Sequence, residues 1–101
     1  MSAYPFTYHQ DPGHGWLQVP VETLATFGKT EADFSPYSYR DGGHVFLEED
    51  ADMTAFMNLW RDRFGVFPDL REAVTDDDHW IRGLDRCSGA NWVSPFKQKE
   101  A

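Results

Sequence analysis

The sequence predicts an α+β domain: a small antiparallel sheet of four to five strands, with one main helix packed on one face and a short second helix. Three observations carry this. The stretch YSYRDGGHVFLEED (37–50) alternates on both sides of Asp41-Gly42-Gly43, a hairpin signal because the favoured tight turns need positive φ. Met53, Phe56, Met57, Trp60 and Phe64 recur at spacings of three and four, which draws one apolar stripe down a helix over about 52–64. Residues 4–19 carry two short aromatic and β-branched runs around Asp11-Pro12-Gly13, so they read as a further hairpin.

In chain order, YPFTYH (4–9) is the first strand and Trp16, Leu17 and Val19 mark the second. Pro20 suits the first turn of a helix, Val21, Leu24 and Phe27 follow at spacing three, and Gly28 supplies a stop. This is a short helix over about 20–27. Lys29 to Asp33 is polar and reads as a loop. After the central hairpin, Asp50 or Asp52 is positioned to cap the main helix, Gly65 ends it and Pro68 prevents a restart. LREAVT (70–75) reads as another strand, and a last short strand is expected around Trp80 and Ile81. The tail from about 97 is polar and is expected to fray.

A chain of 101 residues argues for one domain. Aromatic residues make up 16% of it, and large rings let a small core close with few side chains. Seventeen Asp and Glu against nine Lys and Arg give a net charge of −8, which disfavours a nucleic-acid backbone or an anionic membrane as partner and favours a basic protein surface. Cys87 is the only cysteine, so no intramolecular disulfide can form and a reducing cytoplasm fits. No secretion leader or membrane-length apolar run is apparent, so a cytoplasmic location is expected.

His9, Asp11 and His14 fall within six residues and could ligate a metal or move a proton. Zinc needs three or four converging ligands, and a turn at Pro12-Gly13 would separate the two histidines. A turn with surface histidines is the preferred account, and no metal or cofactor is called for. His44 and His79 could complete a site only through the fold. The acidic runs Glu48, Glu49, Asp50, Asp52 and Asp76, Asp77, Asp78 lack the alternate spacing around a glycine that calcium loops use. They are exposed charge by default and an acidic patch for a basic partner by function. Cys87 lacks a nucleophile signature, and no phosphate loop, GxSxG elbow or HExxH is present, so the expectation is a non-enzymatic protein. Tyr37 and Tyr39 share a strand face, and with Trp92 or Phe96 on a wet side of the sheet they would make a binding patch.

The stretches GHGWLQVP (13–20), SPYSY (35–39), VFLEEDAD (45–52) and IRGLDR (81–86) together resemble small uncharacterised cytosolic proteins carried by bacteriophages and plasmids. That resemblance implies an accessory protein of a mobile element, in the cytoplasm of a bacterial host cell, and transfers no catalytic residue. Small acidic proteins of such elements resemble inhibitors of bacterial defence complexes, anti-CRISPR and DNA-mimic proteins among them, whose carboxylates take the place of phosphates on a basic groove. The expected function is therefore binding of a basic protein surface, such as that of a nucleic-acid-handling defence complex, through Glu48, Glu49, Asp50, Asp76, Asp77, Asp78, Tyr37 and Tyr39, by a monomer or homodimer. The alternatives are a small hydrolase or metal-binding protein using His9, Asp11 and His14, and a homodimeric regulatory protein.

Overall fold

Six strands form one mixed sheet in the order β5-β1-β2-β4-β3-β6 in the computed structural model, which describes residues 6–77 and 79–93. The strands are β1 (Phe6–Gln10), β2 (Gly15–Pro20), β3 (Tyr39–Arg40), β4 (His44–Glu48), β5 (Leu70–Val74) and β6 (Asp85–Arg86). Two helices, α1 (Val21–Thr26) and α2 (Asp52–Phe64), and two 3₁₀ turns, Glu31–Asp33 and Trp80–Gly83, complete the order. No helix among the described residues is long and apolar enough to cross a membrane.

Both hairpins close on the same chemistry. In Asp11-Pro12-Gly13-His14 and in Asp41-Gly42-Gly43-His44, the aspartate Oδ1 accepts the backbone N–H of the residues two and three further on. The aspartate N–H bonds the histidine carbonyl in each case. These are side-chain-mimicked turns of the kind that Asp favours. In the second, Gly42 takes φ +93°, the positive φ expected from Asp-Gly.

The two faces of the sheet are covered differently. Leu17, Val19, Val45 and Leu47 point to one face, where they join Phe6, Leu24, Phe34, Phe56 and Cys87 in the main core. Met53, Met57 and Trp60 of α2 pack against that core, as the stripe requires. Phe56 is fully buried and meets the Phe6 ring edge-on at 5.3 Å. Alternate strand residues Trp16, Tyr39 and Phe46 point the other way and form a second cluster with Ile81, lidded by the 79–84 segment. Helix α1 ends in a Schellman motif: Lys29 N–H reaches the Leu24 carbonyl, and Gly28 N–H, at φ +72°, reaches that of Ala25.

The α+β class and the main helix at 52–64 match the expectation; the sheet departs from it in three ways. It has six strands rather than four to five, and it is mixed, because β5 runs parallel to β1. A 13-residue helix is about 20 Å long, enough to carry the chain back across the sheet, so β5 enters in the same direction as β4. Trp80 and Ile81 form a 3₁₀ turn rather than a strand, and the last strand falls at Asp85–Arg86. Neither Asp50 nor Asp52 caps α2 through its side chain; the cap residue is Ala51. Tyr4 and Pro5 of the expected first strand, Asp78, Phe96 and the tail from 97 lie outside the described residues.

Candidate functional site

A cleft of about 560 Å³ opens on the sheet face opposite α2. One wall is the lidding segment, and Asp11 anchors it. The Arg82 guanidinium donates to both Asp11 oxygens, Nε to Oδ2 at 2.7 Å and Nη2 to Oδ1 at 2.9 Å. The backbone N–H of His79 also reaches Oδ2. Together with the turn amides of Gly13 and His14, five donors converge on one buried carboxylate. The Arg82 bonds, ahead of the backbone amides, hold its carboxyl far below the usual range. The same guanidinium lies 5.2 Å from the Trp16 ring, so one arginine clamps the first hairpin turn and stacks on the cleft wall.

Beneath the lid, His9 Nε2 and Gln18 Oε1 are 2.7 Å apart, and the His9 and His79 rings meet at 4.8 Å. His79 Nδ1 accepts the Ile81 amide, so in the neutral ring the hydrogen sits on Nε2. Burial, reinforced by His9, lowers the His79 pKa.

The opposite wall is the 35–38 turn, held by Asp52. The Asp52 carboxylate accepts the Ser35 amide, the Ser35 hydroxyl and the Ser38 hydroxyl, and is itself 2% exposed. Ser38, fully buried, in turn accepts the Glu48 amide. This fixes Pro36, Tyr37 and Tyr39 against the end of β4. Arg86 donates to the Pro36 carbonyl and lies 5.1 Å from the Tyr39 ring. Tyr37 is 64% exposed at the rim, whereas Tyr39 is buried.

Two buried groups on this cleft lack what burial normally demands. The Trp16 indole Nε1–H has no acceptor among the described residues, although Trp16 is 2% exposed; such a donor calls for a water or a ligand acceptor. Glu48 is 9% exposed, with Oε1 accepting the Asp50 amide and no Lys or Arg in ion-pair contact among the described residues. Desolvation first, then the neighbouring Asp50 and Glu49 charges, raise its pKa. A raised folded pKa means that the ionised form is a cost, absent below the ordinary Glu value of about 4.3 and complete above the folded value. Glu48→Gln is therefore expected to stabilise the protein by about 0.5–2 kcal/mol at pH 7, with the gain vanishing near pH 4, as thermal unfolding at the two pH values will show.

Beside this carboxylate stand His14 and Glu49. Among the described residues, His14, Glu48 and Glu49 are the one group whose His, Cys or carboxylate ligand atoms all lie within 4.8 Å of one another. Glu49 is oriented from the helix side, where Tyr8 Oη donates to its Oε2 at 2.8 Å. Tyr8 can lie there because Gly15 has no side chain: a Cβ at Gly15 would collide with the Tyr8 hydroxyl.

Of the residues expected to bind a partner, Tyr37, Tyr39, Glu48 and Asp50 all line the cleft, and Glu49 stands at its acidic end. Asp76 and Asp77 are exposed but are not among the lining residues. His9, Asp11 and His14 are not brought together: His9 is engaged with Gln18 and packs on His79, Asp11 is engaged with Arg82, and among the described residues only His14 joins a cluster of three ligating groups. Burial pushes the Cys87 thiol up to about 12, which removes it as a thiolate nucleophile at neutral pH. Local sequence gives no cleft role to Arg82 or Arg86, and Ser35 and Ser38 carried no signal as cleft supports, since their role comes from long-range contacts to Asp52. Trp92 does reach the cleft. All other lining residues come from four separated stretches, 13–20, 35–39, 45–52 and 81–86. Compared with family models, curated proteins and solved structures, the chain matches none of them.

Proposed function

We propose that the protein is a binding protein that docks a protein partner in this cleft, taking a basic side chain of the partner between the aromatic rim and the Glu48–Asp50 end. The observation that carries this is the cleft itself. Tyr37, Tyr39, Trp92 and Trp16 line it beside the exposed Asp50 and the buried Glu48 carboxylate, which has no Lys or Arg in ion-pair contact among the described residues. Tyr, Trp and Arg dominate interface hot spots because they combine large contact area with a polar handle. A guanidinium or ammonium of the partner would supply a counter-charge that none of the described residues gives Glu48.

The resemblance to accessory proteins of phages and plasmids makes a basic, nucleic-acid-handling host complex the first partner to seek. Surface mimicry of phosphates is less well supported by this geometry than cleft docking, because Glu48 is buried and Glu49 is engaged by Tyr8. The test is capture from bacterial lysate in the presence of a chelator, with bound proteins identified by mass spectrometry. A partner retained by the wild type and by Asp76→Asn/Asp77→Asn, but lost about tenfold or more with Tyr37→Ala/Trp92→Ala, supports cleft docking. Loss with the Asp76/Asp77 variant and retention with the aromatic variant would return the binding surface to the exposed acidic loop.

A further inference from the structure

We propose that His14, Glu48 and Glu49 form a binding site for a first-row divalent cation at the acidic end of the cleft. The inference does not rest on partner docking, although Trp16 and Glu48 line the same cleft.

Three elements deliver the donors. His14 closes the first hairpin turn, its backbone held by Asp11. Glu48 ends β4 directly opposite Trp16 on β2, and Glu49 follows it, bonded to Tyr8. All three ligand atoms lie within 4.8 Å of one another. Donors about 2.1 Å from one ion stand roughly 3–4 Å apart, so small side-chain rotations complete the geometry. The backbone of all three positions is fixed beforehand: Glu48 N–H by Ser38, Glu49 N–H by the Gly15 carbonyl and His14 N–H by Asp11.

The burial of Glu48 within the cluster and one observation beyond it, the orphan Trp16 donor, ask for a guest. Glu48 is nine-tenths buried, lines the cleft and lacks any cationic side chain in contact among the described residues. A charge so placed needs a partner, and a metal ion is one. On the same cleft, the buried Trp16 Nε1–H has no acceptor among the described residues. It cannot ligate a metal, but it can donate to a water or anion that completes the coordination sphere. One imidazole and two carboxylates, with no thiolate, suit Mn²⁺, Fe²⁺ or Zn²⁺ rather than a soft ion such as Cu⁺.

The test is calorimetric titration of chelator-treated, partner-free protein with ZnCl₂ and MnCl₂, with electron paramagnetic resonance following the Mn²⁺. One saturable site per chain is expected, tighter for Zn²⁺ than for Mn²⁺, with a rise in Tm on loading. His14→Ala, at an exposed position, and Glu48→Gln should each weaken binding by roughly tenfold or more. Asp77→Asn should leave it unchanged, and circular dichroism checks that each variant is folded. Absence of saturable binding below millimolar metal, or binding that survives both variants, overturns the proposal. The lysate capture is done in chelator, so failure of that experiment and failure of this one remain distinct.

Discussion

Asp11→Ala is expected to destabilise the protein by about 3–5 kcal/mol, the largest loss from any single polar side chain in the fold. Five hydrogen bonds end on this carboxylate, two of them from Arg82 and one from the His79 amide 68 residues away in sequence. Its removal strands the turn amides and releases the segment that lids Trp16 and Phe46. A domain of this size has roughly 5–15 kcal/mol in all, so the variant should unfold at much lower urea. Arg82→Lys should lose less, because an ammonium keeps the charge but not the two-pronged geometry. The pH dependence follows from the sign of the shift. Asp11 is depressed, so its contribution is complete above the ordinary carboxylate value of about 4. It is lost only as pH falls through the lower folded value. The gap between wild type and Asp11→Ala should therefore be constant from pH 8 to pH 5 and narrow below about pH 4. His79 adds a separate slope. Its folded pKa is lowered, so the stability it contributes is complete above about 6.5 and declines as pH falls below that value. A loss below about 1 kcal/mol for Asp11→Ala would mean that the lid is held in place without the Asp11 carboxylate.

How much of this was legible in the sequence differs by residue. The hairpin at Asp41-Gly42-Gly43 and the helix at 52–64 were, because turn chemistry and apolar period are local properties. The Asp-x-Gly-His pattern occurs twice, at 11–14 and 41–44, and in both the aspartate performs the same turn task. The second position differs, Pro12 in one and Gly42 at positive φ in the other, but nothing local says which turn becomes an anchor. Only the fold brings Arg82 to Asp11, which turns one of two similar turns into the anchor of a wall. The parallel placement of β5 was likewise hidden, since strand partners depend on where a crossover helix returns the chain. Trp80 and Ile81 look like a strand by composition, and tertiary context overrides that: the Trp80–Gly83 3₁₀ turn places Ile81 in the second core cluster.

The candidate site was half legible. Tyr37, Tyr39 and Glu48 were singled out as surface groups, yet Tyr39 and Glu48 prove to be buried. His9, Asp11 and His14 suggest a metal site only through their closeness in sequence, and a turn that separates the histidines is the preferred account; His14 instead finds its neighbours in Glu48 and Glu49, some 34 residues on. Sequence spacing reports proximity along a strand or helix and not across a hairpin. That limit accounts for both the misplaced metal alternative at His9, Asp11 and His14 and the unseen role of Asp52.

Asp52→Ala is expected to cost about 3 kcal/mol and to disable the cleft at the same time. Its carboxylate sits in the first turn of α2, where the helix N-terminus favours negative charge, but its hydrogen bonds run outward to the 35–38 turn. Three donors depend on it: the Ser35 amide and the hydroxyls of Ser35 and Ser38. Each buried donor left unpaired costs about 1–3 kcal/mol, and the hydroxyls recover part of this by rotating. Ser38 also accepts the Glu48 amide, and its carbonyl accepts the Cys87 amide. A shift of Ser38 therefore moves β4, the chain after β6 and the rim tyrosine together. Asp52→Asn keeps a side-chain oxygen for these donors and should lose only about 1 kcal/mol. The two variants separate support from mere stability: at a temperature where both remain folded, Asp52→Ala should lose partner capture and Asp52→Asn should keep it. Equal capture by both would show that the 35–38 turn holds its shape without the carboxylate, and that packing of Pro36 against Gly89 and its neighbours suffices.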